Sequence, residues 1–318
     1  MSDNKLAEAI KAARLYYYYN MTTAAIAREL SVSKSTVSRL IKFARESGVI
    51  DIRVLDPTEE PSRLASRIME RYQIKNAHVV PVSELAGEAE WLQRVANYAA
   101  SYLNVIFDSG MILGIAWGTT LTAVSKHLLR KNLYNAQIVQ LNGAGNTRTM
   151  GIEYASEIIM RFATNFQARA HLFPVPAYFD YCETKQALWR EGSVKRILSL
   201  QEQADVLIYS IGAVNAGIPS HVYSGDYLSQ KDYKTLEQYE VAGDIATVFF
   251  KRDGSFDGIP INRRASGPHL GLFQRKYGIC VVSGLAKVTG LHAALKGKLM
   301  SELIVDEPTA RYLVEKYP

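Results

Sequence analysis

The chain has 318 residues, of which 48% are hydrophobic and 21% are charged, and its formal net charge is +6. This length and composition exclude a single small domain and a largely disordered chain, and they predict two folded domains. No stretch approaches the roughly 18 to 20 apolar residues that cross a bilayer, so a cytoplasmic protein without a membrane partner is expected.

The positive charge is concentrated at the N-terminal end. Residues 1–55 hold nine Lys and Arg against five Asp and Glu, a net +4, which leaves +2 for the other 263 residues. A local positive field suits a module that neutralises DNA phosphates, although solvated basic ends are also common. The two cysteines, Cys182 and Cys280, are far apart and predict buried apolar residues rather than a disulfide or a metal site.

Helical spacing of apolar residues predicts a first packing helix over Leu6–Leu15, which runs into the tyrosines Tyr16–Tyr19. About two of these tyrosines must face the core while the others meet water or DNA backbone. Packing is favoured over base stacking, because stacking platforms usually space their aromatic residues across a sheet.

Two short helices follow and are joined by a tight turn. Thr22 or Thr23 can cap the first, and Ser33 can cap the second, which is the helix-turn-helix pattern. Many such turns carry glycine at the position of Ser31, so Ser31 must adopt a strained backbone or the turn must differ. The residues of the second helix that face outward, and are predicted to contact DNA bases and phosphates, are Lys34, Ser35, Thr36, Ser38, Arg39 and Lys42.

Gly48 is expected to end this helix, and alternating residues predict a short strand over 49–54. The polar, proline-containing segment 56–62 is predicted to be a linker. The expected organisation is therefore a helix-turn-helix DNA-binding domain at 1–55 and an effector-binding and oligomerisation domain at 63–318.

In the large domain, apolar β-rich runs alternate with amphipathic helical runs. This alternation predicts an α/β fold with a doubly wound, mostly parallel sheet whose ligands bind beyond the carboxyl ends of the strands. The predicted helices are 88–107, 119–129, 152–166 and 285–296. The predicted strands are 78–81, 111–116, 137–141, 206–211, 245–250, 279–283 and 303–306.

Three loops after predicted strands suit an anion. They are Gly118–Thr120, Asn142–Asn146 and Gly284–Lys287, which offer backbone donors, hydroxyls and the Lys287 cation. Each glycine alone is typical of an ordinary strand-to-helix turn, but the three loops together favour a phosphate or carboxylate site. Asp244 adds a carboxylate suited to sugar hydroxyls or to capping backbone amides. The segment 262–264 could serve as a ligand lid or as an inter-subunit contact.

Several motifs carry a family resemblance: Ala12–Tyr17, the helix-turn-helix with Ile26-Ala27 and Val32-Ser33, Trp117–Thr120, Gln140–Gly143, Gly243–Ile245 and Gly284–Lys287. They resemble the SorC family of sugar-responsive transcriptional regulators, particularly its deoxyribonucleoside regulator branch. The resemblance implies an effector domain similar to the sugar-phosphate isomerase and CoA-transferase-like fold, and a dimeric or tetrameric homo-oligomer. It also implies release from operator DNA when a phosphorylated sugar binds.

The same resemblance implies the site residues. Gly118, Thr119, Thr120, Gly143, Gly284 and Lys287 would surround the phosphate, Asp244 would bind the sugar, and Gln140 and Asn142 complete the site. In the deoxyribose-phosphate-responsive relative, the position of Asn142 is a lysine that forms a Schiff base. Asn142 has no nucleophilic amine, so noncovalent binding is expected and deoxyribose phosphate is disfavoured as the effector.

We therefore expect a DNA-binding regulator, a repressor of a carbohydrate or nucleoside catabolic operon, with a phosphorylated sugar or polyol as effector and no catalytic cofactor. The main alternative is a sugar-phosphate isomerase with a DNA-binding arm. Only Asp244 offers an acid or base near the predicted site, which disfavours an enzyme. A constitutive DNA-binding protein would not need the large α/β domain.

Overall fold

A computed structural model of the chain describes residues 2–50, 60–83, 85–148, 152–213, 221–224 and 227–317. It divides into two compact units, Met1–Leu55 and Asp56–Pro318. Each unit has its own core, so the two are described separately.

The described residues of the first unit form three helices, α1 (Ser2–Tyr17), α2 (Thr23–Glu29) and α3 (Lys34–Glu46). The Thr22 hydroxyl accepts the Ala25 amide at 3.2 Å and caps α2, while the Ser33 hydroxyl accepts the Thr36 amide at 3.1 Å and caps α3. The buried residues that hold the three helices together are Ala9, Ala12, Ala13, Ile26, Ala27, Val37, Leu40, Ile41 and Ala44.

Ser31 has a φ of 53° in the turn between α2 and α3. The turn therefore has the left-handed conformation in which glycine is common, and Ser31 adopts it at a steric cost. At the end of α1, Tyr17 packs against the core, whereas Tyr18 and Tyr19 are 78% and 71% exposed.

The second unit is built on a seven-stranded sheet whose strand pairs are all parallel, in the order β1-β9-β8-β5-β2-β3-β4. The strands are β1 (Asn76–Val80), β2 (Ile112–Ile115), β3 (Gln137–Gln140), β4 (Arg169–His171), β5 (Val206–Tyr209), β6 (Val241–Ile245), β7 (Val248–Lys251), β8 (Tyr277–Val282) and β9 (Glu302–Asp306). Strands β6 and β7 form a separate antiparallel hairpin.

Helices cover both faces of the sheet. The α-helices among the described residues of this unit are α4 (Glu60–Tyr72), α5 (Glu88–Ile106), α6 (Thr119–Lys126), α7 (Ile152–Phe166), α8 (Cys182–Leu188), α9 (Gly192–Gln203), α10 (His221–Ser224), α11 (Gln230–Gln238), α12 (Gly271–Arg275), α13 (Val288–Lys296) and α14 (Glu307–Lys316). Helices α5, α6 and α7 line one core and α4, α9, α13 and α14 line the other, while alternate strand residues point to each. The α/β class and the mostly parallel sheet are as predicted. No described helix is long and apolar enough to span a membrane.

The direction of winding reverses between β2 and β5. From β2 the chain adds β3 and β4 on one side, and then returns to add β5, β8 and β9 on the other. Parallel sheets bind ligands at such a switch point, beyond the carboxyl ends of the strands.

Several predicted boundaries differ from the structure. Residues 60–62, predicted as linker, form the start of α4, because a proline such as Pro61 is tolerated in a first helical turn. The predicted strand 245–250 is wrong, since Ala246 and Thr247 make the turn of the β6–β7 hairpin. The strand predicted over 49–54 lies largely outside the described residues, as does linker segment 56–59.

Two smaller features also differ from the sequence-based expectation. Cys280 is buried in β8, but Cys182 is only partly buried at the start of α8. The short edge strand β4 was not predicted.

Candidate functional site

A small cavity of about 50 Å³ lies at the switch point of the sheet. It is lined by Ala116, Trp117, Gly118, Thr119 and Thr120 after β2, Asn142 after β3, Ser210, Ile211 and Gly212 after β5, and Ser283 and Lys287 after β8; Leu92, Val222, Asp244, Ala246 and Thr247 complete the wall. Six of the nine residues predicted for an effector site therefore meet here: Gly118, Thr119, Thr120, Asn142, Asp244 and Lys287.

The β6–β7 hairpin carries Asp244 to this edge of the sheet. Gly212, just beyond β5, pairs with Asp244 through two backbone hydrogen bonds of 3.0 and 3.2 Å. A side chain at Gly243 would lie 2.6 Å from the Gly212 carbonyl oxygen, so glycine is needed for this close approach. The hairpin is thereby fixed across the cavity.

The Asp244 carboxyl group is almost fully buried. One of its oxygens accepts the Thr247 amide at 3.2 Å. Burial raises the pKa of Asp244 to about 6, and the hydrogen bonds from Thr247 and Tyr223 and the charge of Lys287 only partly oppose that rise. The carboxylate is therefore poised to accept hydrogen bonds from a ligand that enters the cavity.

Lys287 lies opposite, in a short 3₁₀ turn that follows Gly284. Its ammonium group lies 3.3 Å from the Thr120 hydroxyl and 3.4 Å from the Ser210 hydroxyl. Burial lowers the pKa of Lys287, and nearby acidic groups oppose this effect. A cation held by two neutral hydroxyls can still bind an incoming anion.

Two buried polar atoms near the cavity, Asn142 Oδ1 and Ser283 Oγ, have no hydrogen-bond partner within the described residues, and two more, Asp244 Oδ1 and Tyr223 Oη, have none other than each other. Three of these residues line the cavity, and Tyr223 is next to the lining residue Val222. Native proteins rarely leave buried polar atoms unpaired, because each costs about 1–3 kcal/mol. Their convergence is expected of a site completed by a polar ligand or by water.

The three other predicted residues lie behind the cavity wall. The Gln140 side chain bonds the Asn142 carbonyl and the Phe173 amide at 2.7 and 3.0 Å. The Gly143 carbonyl accepts the Trp117 indole N–H at 2.8 Å, and the Gly284 amide donates to Asp306 at 3.0 Å. These residues brace the loops of the site, and none of them lines the cavity.

Sequence reasoning missed three hydroxyl-bearing residues of the wall. Ser210 and Ser283 fell inside predicted strands, and Thr247 fell inside the strand that proved to be a hairpin turn. Polar residues near the end of an apolar run were the available signal for the two serines. No sequence signal was available for Thr247, because its position depends on the turn of the β6–β7 hairpin.

The segment 262–264 has structural contacts. The Asn262 amide group bonds the backbone of Phe249 in both directions at 2.8 Å. Arg264 pairs with Asp232 and donates to the Phe179 carbonyl at 3.0 Å.

In the first unit, α3 carries the residues predicted to contact DNA. Lys34, Ser35, Ser38, Arg39 and Lys42 are exposed, and Thr36 is half-buried. The Thr36 hydroxyl lies 2.8 Å from the Ser33 hydroxyl and 3.4 Å from an Arg39 nitrogen. Lys42 lies 3.7 Å from Glu46, one turn further along. The exposed face is therefore basic and rich in hydroxyl groups.

Comparisons with known proteins place this architecture in a family. The family model Sugar-bind, which describes a sugar-binding domain, matches residues 56–315. The deoxyribonucleoside regulator of Bacillus subtilis is 34% identical over 317 residues, which cover 99% of both chains. The sorbitol operon regulator of Klebsiella pneumoniae is 26% identical, over 96% of this chain and 97% of the relative.

Solved structures agree with these sequence relationships. A domain of a sugar-binding transcriptional regulator from Arthrobacter aurescens is 47% identical, with a TM-score of 0.76 over 81% of this chain and 99% of that one. Full-length SorC from Klebsiella pneumoniae shares the fold, with 24% identity and a TM-score of 0.71 over 98% of this chain and all of that one. The chain therefore belongs to the Sugar-bind family, and it is a SorC-type transcriptional regulator, as its motifs predicted.

Proposed function

We propose that this regulator is a repressor whose first unit binds operator DNA and whose second unit binds a phosphorylated sugar or polyol without forming a covalent bond. The observation that carries the proposal is the cavity at the switch point, whose wall holds both Lys287 and Asp244 together with unpaired polar atoms. A ligand with an anionic group and several hydroxyls would pair both ends of this cavity.

The two ends of the cavity suit different ligand groups. Lys287, Thr120 and Ser210 form the cationic end, and the N-terminus of α6 adds the positive end of a helix dipole. At the other end of the cavity, Asp244 and Asn142 offer oxygen atoms that can accept hydrogen bonds from the hydroxyl groups of a ligand. In this arrangement, the phosphate occupies the Lys287 end and the polyol chain lies towards Asp244.

The relatives bear on the class of operon. The Bacillus subtilis protein is named for deoxyribonucleosides and the Klebsiella pneumoniae protein for sorbitol. A carbohydrate or nucleoside catabolic operon is accordingly the proposed target. Asn142 lacks an amine, which supports reversible binding rather than covalent capture.

For the first unit, α3 is the proposed recognition helix, with Lys34, Ser35, Thr36, Ser38, Arg39 and Lys42 as DNA contacts. One helix-turn-helix contacts one half-site of an operator, so an operator with two half-sites requires two copies of this chain. A dimer or tetramer is therefore the proposed active assembly.

The test combines ligand binding with DNA binding on the full-length protein. Pentose, hexose and hexitol monophosphates and their unphosphorylated counterparts are screened by thermal shift. A compound at 100 times its dissociation constant should stabilise the protein by about 2.7 kcal/mol. Operator affinity is then measured on a duplex selected by the protein from a random library. A DNA affinity that no panel member alters would contradict the effector role.

A second candidate function is catalysis, because a carboxyl with a pKa near 6 suits proton transfer near neutral pH. In that case a panel compound would be consumed at a rate that depends on Asp244. Stable concentrations of every compound after prolonged incubation with the protein would exclude this activity for the panel.

A further inference from the structure

Asp306, at the end of β9, joins two elements through one carboxylate. Its side chain is fully buried. Oδ1 accepts the Thr309 amide at 2.8 Å and caps α14, while Oδ2 accepts the Gly284 amide at 3.0 Å. The Thr309 hydroxyl also lies 3.1 Å from the Gly284 amide. The first turn of α14 therefore holds the backbone of the loop that starts at Ser283.

This loop, residues 283–287, forms part of the cavity wall. Ser283 contributes an unpaired hydroxyl, and Lys287 extends its ammonium group to Thr120 and Ser210. The loop thus faces the proposed ligand on one side and Asp306 on the other. An anion drawn to Lys287 would introduce a second negative charge close to the Asp306 carboxylate, and the two charges would repel each other across the loop.

Helix α14 in turn packs on α4, the helix that follows the first unit in the chain. Arg71 of α4 donates to the Val314 carbonyl at 3.4 Å. Leu64 and Ile68 of α4 share a core with Leu313 of α14. A shift of α14 would therefore displace α4, because packed helices move as units rather than deform continuously.

We propose that Asp306 is the positioning residue that transmits occupancy of the cavity to α4, by holding the Gly284 amide when the cavity is empty and releasing it when an anionic ligand binds. The proposal rests on the effector role described above. It assigns a regulatory function to a side chain that does not line the cavity.

The test is Asp306→Asn in the full-length protein. Asparagine keeps an oxygen to cap Thr309, but its amide group would face the Gly284 amide, so the carboxylate link to the loop is lost, while the cap and the Thr309 hydroxyl contact with Gly284 remain. The probe is the panel monophosphate that stabilises the wild type most. In the wild type, the probe should change operator affinity by about five- to 150-fold. In Asp306→Asn the change should be less than about twofold, with probe affinity within about threefold of wild type.

The matched control is Glu307→Gln, which alters the next residue. Glu307 pairs with Arg311 at 2.6 Å within α14. This variant should retain the full response of operator affinity to the probe. If Asp306→Asn also retains it, or if Asp306→Asn loses probe binding, the proposed transmission is overturned. If no compound of the panel binds the wild type, the proposed effector binding is contradicted, and the proposed role of Asp306, which depends on it, is contradicted as well.

Hydrogen exchange on the wild type decides the question if Asp306→Asn does not fold. The probe should lower protection of the Gly284 amide and of the first turn of α14. Unchanged or increased protection at both places, measured with the probe bound, would overturn the proposal.

Discussion

The Lys287 ammonium group lies 3.3 Å from the Thr120 hydroxyl, although 167 positions separate the two residues in the chain. Thr120 follows β2 and Lys287 follows β8, and β5 lies between these strands in the sheet. A ligand bound to both residues would connect segments from both sides of the switch point. The following predictions test this arrangement and the proposed DNA-binding face.

Lys287→Met should weaken binding of the phosphorylated probe by about ten- to 100-fold, because hydrogen bonds to a charged group contribute about 1.5–3 kcal/mol. Without ligand, the variant should be as stable as the wild type or more stable, since a buried ammonium group is no longer desolvated. Thermal shift measures both effects. Lys296→Met, at an exposed position of α13, is the control and should bind the probe normally. Normal probe binding by Lys287→Met would exclude Lys287 from the anion site.

Asp244 should make stability depend on pH. The pKa of Asp244 is raised from 3.8 to about 6 in the folded state. Between about pH 4 and pH 6, the Asp244 carboxyl is therefore protonated in the folded protein and ionised in the unfolded chain. The contribution of Asp244 is therefore favourable below about pH 4 and falls as pH rises to about 6, by about 3 kcal/mol in all. Denaturant unfolding at several pH values in this range measures the slope of the unfolding free energy against pH. Asp244→Asn should remove the part of this slope that Asp244 contributes.

Asp244→Asn should also be the more stable protein at pH 7, while its affinity for the probe falls. Asp180→Asn, at an exposed position, is the control and should leave the slope in place. Identical slopes in the wild type and Asp244→Asn would contradict the buried carboxyl.

Ser31→Gly should stabilise the first unit by about 1 kcal/mol, because glycine adopts a φ of 53° without the steric cost that serine incurs. Native-state hydrogen exchange at the amides of α2 and α3 measures the gain. Ser47→Gly, where φ is −83°, should give no stabilisation. An equal gain at both positions would show that the Ser31 backbone is not the cause.

Arg39→Ala should weaken operator binding by about 1–3 kcal/mol and relax the sequence preference at one base position. Fluorescence anisotropy with the selected duplex and its single-base variants measures both effects. Arg45→Ala is the control, since six residues along a helix place Arg45 about 120° around the helix axis from Arg39. An unchanged affinity of Arg39→Ala would remove Arg39 from the contact surface.

The sequence predicted the buried parallel strands well because such strands are nearly continuous apolar runs, as in Val206–Tyr209. It predicted the capping of α2 and α3 because hydroxyls at Thr22 and Ser33 precede apolar helical repeats. It failed at the β6–β7 hairpin, whose turn at Ala246 and Thr247 has no glycine or asparagine to mark it. It also failed at β4, whose Arg169 and His171 lack the apolar pattern of a central strand.

The candidate site was partly predictable for the same reason. Gly118, Asn142 and Lys287 follow strands that were recognisable, so their convergence follows from a parallel sheet. Thr247 lies in the turn of the β6–β7 hairpin, and the pairing of Asp244 with Gly212 brings that turn to the cavity. The bracing roles of Gln140 and Gly284 depend on partners distant in the chain.

The pairing of β1 with β9 has a consequence for biosynthesis. The first strand of the sheet pairs only with the last one, so β1 stays without a partner until Glu302–Asp306 has left the ribosome. The first unit, Met1–Leu55, leaves about 250 residues earlier, which at roughly 5–20 residues per second is roughly ten to fifty seconds. During translation, the nascent chain thus carries the proposed DNA-binding unit before the proposed effector-binding unit is complete, so the sheet that holds the cavity is the last part of the protein to form.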